Sequence, residues 1–92
     1  MAQTVRAEAL YSGYVQGVGF RYTARQTAFR FPVTGYVQNL SNGTVRIVAE
    51  GARSDVQEFL DAVRDEMAEY IEDVQINWAI ATGESADFRI RV

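Results

Sequence analysis

Gly13-Tyr14-Val15-Gln16-Gly17-Val18-Gly19-Phe20-Arg21 is the stretch from which the fold can be read. Ahead of it, residues 5–11 alternate in side-chain type as a strand does. Behind it, Phe20, Ala24, Ala28 and Phe31 recur at helical spacing. The glycines therefore sit on a strand-to-helix turn, where successive backbone N–H groups can point into one concavity. The first N–H groups of a helix lack partners and the helix dipole is positive there, so such a turn suits an anion. Arg21 strengthens that reading. A cation in the first helical turn opposes the dipole, unless an anion seated in the loop converts the penalty into charge-assisted hydrogen bonds. The same residues also fit a plain tight connection with a solvent-facing arginine, and a short Gly-rich motif does not decide between the two.

Working outward, Phe20 opens a helix over residues 20–31 that Pro32 stops. Residues 35–40 and 44–50 read as strands joined at Asn42-Gly43, a strong hairpin signal. Ser54-Asp55-Val56-Gln57 has the form of a capping box. It opens a second helix with Val56, Phe59, Leu60, Val63 and Met67 on one face, a core-facing stripe. Val74, Ile76, Trp78 and Ile80 alternate as a strand. Phe88, Ile90 and Val92 form a short last one, with Arg89 and Arg91 on its other face. The order is βαββαβ with an extra C-terminal strand. Right-handed crossovers then put both helices on one face of a mainly antiparallel sheet, a ferredoxin-like α+β sandwich.

Composition narrows the chemistry. Residues 1–92 are expected to form one small domain that buries about 60–65% of its unfolded surface. The net charge of −3 argues against a broad polyanion-binding face, so attraction for an anion must be local. There is no cysteine, hence no disulfide, thiolate nucleophile or thiolate metal site, and no histidine, the commonest general base. All nine basic residues are arginine, so the P-loop, which needs a lysine, is excluded. The dinucleotide fingerprint fails on glycine spacing. Met1-Ala2-Gln3-Thr4 lacks a signal pattern and no apolar run reaches membrane-spanning length. The expectation is a cytoplasmic monomer with no membrane or nucleic-acid partner, no cofactor and no metal.

With these residues missing, a phosphate held in the loop could be attacked only by a positioned water. Such sparse equipment suits a labile substrate. A carboxylate leaves phosphorus without a proton donor because its acid has a pKa of about 4, so acyl phosphates are favoured over phosphate monoesters. Asn39 is the candidate to position the water, since its amide donates and accepts without titrating. A turn-side asparagine bonding its own backbone is the other reading of Asn39. A carboxylate raised by burial, Glu8 or Glu50, is the alternative base.

The loop as quoted resembles the signature of the acylphosphatase family. Gly35-Tyr36-Val37-Gln38-Asn39, followed by Gly43-x-Val45 and Gly51, resembles the family's second signature at the family's usual separation. The resemblance implies metal-independent hydrolysis of acyl phosphates to a carboxylate and inorganic phosphate. By position, Arg21 and the backbone N–H groups of Val15, Gln16, Gly17, Val18, Gly19 and Phe20 would bind the phosphate, and Asn39 would orient the attacking water. Two segments depart from the family pattern. Glu66-Met67-Ala68-Glu69-Tyr70 replaces a Gly-Pro connection, which predicts a longer helix or a different link with little effect on the site. Phe31-Pro32-Val33 predicts a reshaped end of the first helix.

Three other readings compete. An RNA-binding module on the same topology would carry aromatics on its central strands, but residues 44–49 have none and the pI is about 4.8. A carrier-fused relative acting on carbamoyl phosphate would have further chain beyond Val92. An inactive regulator would have no need of both Arg21 and Asn39.

Overall fold

The computed structural model describes residues 3–92. Met1 and Ala2, part of the N-terminal stretch read above for a signal pattern, lie outside the described residues. Strand β1 (Thr4–Gly13) turns inward Ala7, Ala9 and Tyr11, all essentially inaccessible, as its alternation requires. It is followed by α1 (Phe20–Ala28), β2 (Thr34–Asn39), β3 (Val45–Ala52), α2 (Arg53–Glu66), β4 (Ile71–Ile80) and β5 (Phe88–Arg91). The sheet order is β4-β1-β3-β2-β5. All ladders are antiparallel except β2–β5, which is parallel.

The helices pack on each other, α1 over β2 and β5 and α2 over β1 and β3, so both cover one face. Phe20, Ala24 and Ala28 of α1 and Val56, Phe59, Leu60 and Val63 of α2 close the core over Val37, Val45, Ile47 and Ala49 of the sheet. This is the expected ferredoxin-like sandwich. β2 and β3 lie so close that a Cβ on Gly35, whose φ is 142°, would overlap the carbonyl oxygen of Val48.

Three expectations are corrected. α1 ends at Ala28 rather than Phe31. The N–H groups of Phe29, Arg30 and Phe31 bond carbonyls three residues back, so the chain tightens ahead of Pro32, which disfavours helical geometry in the residue before it. Phe31 still packs on the core, its ring 6.2 Å from that of Phe59. The capping box at Ser54 is not formed. The β3 ladder runs on to Ala52, which is itself the extended N-cap, so α2 starts at Arg53 with no side-chain cap. Asp55 lies in the first turn, where a negative charge complements the dipole. Residues 66–70 make the second of the two links expected there, a 3-10 turn at Ala68–Tyr70 after the buried Met67 instead of a longer helix. On β4, Val74, Ile76 and Trp78 face the core, but Ile80 at the strand's end is 74% exposed.

The opposite face of the sheet carries ion pairs around the buried Tyr36 and Val48. Glu50, 6% exposed, accepts from the N–H and hydroxyl of Thr82 and the N–H of Gly83, each at 2.9 Å, and from Arg6 at 3.2 Å. Burial pushes the Glu50 carboxyl up, but these hydrogen bonds together outweigh it and hold it below its ordinary range. Glu8 pairs with Arg46 at 3.3 Å on the same face.

Candidate active site

Two buried anchors frame the glycine loop. Val15 is fully buried, and Phe20 packs on Tyr11 with ring centroids 4.9 Å apart. Between them the exposed Gly17 and Gly19 take φ of 77° and 81°, the left-handed region where a side chain is strained. Gly19 is also the N-cap of α1. No side chain caps that helix and no acid sits in its first turn, so the leading amides are left to face outward.

The loop is tied down at two further points. The Tyr14 N–H donates to the Tyr70 carbonyl at 2.9 Å, so the connection expected to stand apart from the site grips the root of the loop. The Gln16 carboxamide donates to the carbonyls of Leu40 at 2.8 Å and Thr44 at 2.9 Å, both in the β2–β3 hairpin.

Asn39 is the last residue of β2 and pairs with the buried Val45, which puts it on the helix-covered face. Its Oδ1 is buried and has no hydrogen-bond partner among the described residues. The turn-bonding role belongs instead to Asn42, whose Oδ1 accepts from the Thr44 N–H at 3.2 Å and hydroxyl at 2.6 Å.

Loop, helix and strand meet around one cleft of about 260 Å³. Val15, Gly17, Gly19 and Phe20 supply its loop side, Arg21 and Tyr22 the helix side, and Asn39 and Ile90 the sheet side. Gln16 and Val18 are not among its walls: Gln16 braces the hairpin and Val18 packs against the core. No Asp or Glu lines the cleft. Glu50 is five residues along β3 from Val45, about 17 Å away at the usual rise, and on the other face, as is Glu8. Neither carboxylate named above as an alternative base is at the site. Among the described residues, no group of three or more acidic side chains has metal-ligand spacing.

Arg21 stands apart electrostatically. Arg6, Arg46, Arg64 and Arg89 each pair with a carboxylate. Arg25, Arg30, Arg53 and Arg91 each lie over an aromatic ring. Among the described residues only Arg21 has neither kind of partner. A wider cleft of about 470 Å³ lies beside β5, but there Arg89 is already bonded to Asp87 at 2.8 Å.

A family model described as acylphosphatase matches residues 7–90. The chain belongs to the acylphosphatase family. An acylphosphatase of Dehalococcoides mccartyi strain CBDB1 is 44% identical over 86 residues, covering 90% of this chain and 93% of the relative. One from Anaeromyxobacter sp. strain Fw109-5 is 39% identical over 92 residues, covering 99% of each. The crystal structure of acylphosphatase from Bacillus subtilis superposes with a TM-score of 0.86 at 28% identity, over 96% of this chain and 99% of that one. Against this acylphosphatase frame, sequence reasoning missed two walls and one brace. Tyr22 follows Arg21 directly and was legible as an exposed aromatic beside the motif. Ile90 and the partners of Gln16 depend on pairings across the chain that no local pattern carries.

Proposed function

We propose that this acylphosphatase holds the phosphate of an acyl phosphate on Arg21 and the amides of residues 15–20, and hydrolyses it with a water oriented by Asn39. The observation that carries the reading is the convergence on one cleft of left-handed glycines at a helix start with a cation and a buried amide oxygen that have no partner among the described residues.

In the reaction the water oxygen bonds to phosphorus as the bond from phosphorus to the acyl oxygen breaks, and the electron pair departs with the carboxylate. That leaving group needs no proton donor. Arg21 and the loop amides, fixed in advance, meet the charge on the phosphoryl oxygens. Asn39 accepts a hydrogen bond from the water and holds it in line. A water proton passes to a phosphoryl oxygen, and inorganic phosphate leaves.

The test is hydrolysis of benzoyl phosphate in excess chelator. Turnover is expected to persist. Because the chain has neither His nor Cys, kcat is expected to stay nearly flat between about pH 5 and 8. Activity that disappears with chelator and returns with a divalent cation would overturn the metal-free scheme. Arg21→Lys swaps a planar fork for a point charge, and its phosphate affinity is expected to fall at least about tenfold. Unchanged affinity would remove Arg21 from the site.

A further inference from the structure

We propose that Tyr22 and Ile90 form an apolar seat for the acyl group, so that this site prefers acyl phosphates bearing a bulky apolar group, aromatic above all, over acetyl phosphate. The inference rests on the acyl phosphate reading of the cleft and goes on to its substrate selectivity.

An acyl phosphate has two unlike ends. If the loop amides and Arg21 hold the phosphate, the acyl end projects from the cleft past whatever flanks its mouth. Two large apolar side chains are there and incompletely buried: Tyr22 is 63% exposed and Ile90 is 38% exposed. Neither position is explained by core packing. Tyr22 belongs to the first turn of α1, whose buried stripe is Phe20, Ala24 and Ala28.

Ile90 reaches the site by topology. The parallel β2–β5 ladder pairs it with Val37, whose side chain is fully buried under the helices. Asn39 lies two residues beyond Val37 on the same strand and therefore on the same face. Ile90 thus flanks Asn39 on the neighbouring strand, and α1 packs over β5 to bring Tyr22 to the cleft's other side. An acyl group of one methyl covers little of these surfaces. A phenyl ring can take apolar surface on both sides out of water, and an aromatic face opposite Tyr22 adds stacking.

The deciding quantity is the ratio of kcat/KM for benzoyl phosphate to kcat/KM for acetyl phosphate. Tyr22→Ser is expected to lower that ratio about tenfold, the scale set by losing a hydrophobic contact in a specificity pocket. Tyr22→Phe is expected to keep it, because the seat uses the ring and not the hydroxyl. Ile90→Ala is expected to lower the ratio in the same direction. A ratio that stays at the wild-type value in Tyr22→Ser overturns the seat, as does a fall in Tyr22→Phe equal to that in Tyr22→Ser. If the unsubstituted protein hydrolyses neither compound, the acyl phosphate reading itself fails, which is a different outcome from an unchanged ratio.

Discussion

The Gln16 carboxamide donates to the Leu40 carbonyl at 2.8 Å, which ties the glycine loop to the residue immediately after Asn39. With the matching bond to Thr44, one side chain sets the spacing between the loop and the strand end that share the cleft. Gln16→Ala is expected to lower kcat/KM for benzoyl phosphate by about 10- to 100-fold, since roughly an ångström of misplacement costs that much in a positioned reaction. The cost in stability is expected to be small, about 1 kcal/mol, because both bonds are exposed. A variant with normal kinetics and the same small loss of stability would make Gln16 a mere surface brace.

Asn39→Ala separates chemistry from binding and from folding. If Asn39 orients the water, kcat is expected to drop by roughly 10²–10³, the scale of removing one transition-state hydrogen bond. Inorganic phosphate is expected to bind as before. The melting temperature is not expected to fall, because the lost oxygen is buried with no partner among the described residues. Normal kcat, or lower stability with kcat intact, would count against the assignment.

Glu50 makes stability depend on pH on the acid side. Its folded-state value lies below the ordinary one of about 4.3. Its stabilising contribution is therefore complete above the ordinary value and is lost as pH falls through the lower folded one. Glu50→Gln is expected to cost about 2 kcal/mol at pH 7, where a buried carboxylate with four donors is replaced by an amide that cannot accept from all of them. Denaturant titrations from pH 7 downward check this: the gap between the two proteins is expected to hold near neutral pH and to shrink as pH falls below the ordinary carboxylate value. A gap that does not change with pH would mean that Glu50 contributes nothing through its charge.

Tyr11 carries the opposite defect. Burial pushes its phenol well above the usual range, and its hydroxyl has no hydrogen-bond partner among the described residues. Tyr11→Phe keeps the ring that packs on Phe20 and removes an unsatisfied polar atom. Stability is expected to rise by about 1 kcal/mol, or about 4–8 °C in Tm for a chain of this size. Calorimetry showing a lower Tm would mean that the hydroxyl is satisfied in solution.

What could be read from the chain alone follows from how local each signal is. The hairpin at Asn42-Gly43 and the helix stripes, as far as Ala28 in α1 and Val63 in α2, are set by neighbours within a few residues, and they stand where expected. Arg21 and the loop were legible because one short segment carries both. The capping box at Ser54 misled because the β1–β3 ladder extends to Ala52 and delivers the chain already turned into α2. Ile80 kept the alternation but not the burial, because it is the last residue of β4 and is 74% exposed. The seat beside Ile90 could not be read at all. The β5 ladder with β2 pairs residues 53 apart in the chain, starting with Gly35 opposite Phe88.

The strand order also sets how the protein comes into being. Only β2 and β3 are neighbours both in the chain and in the sheet. Every other ladder joins distant segments, as when Val5 meets Ile80 or Gly35 meets Phe88. Loop closure over such separations must precede the contacts that reward it, so this topology folds slowly for its size. Loop, strand end and last strand reach the cleft along three different ladders, β1–β3, β2–β3 and β2–β5, so the cleft is complete only when all three have formed. Recovery of catalysis during refolding therefore reports on the closing of those three ladders together, which a probe of the helices alone does not see.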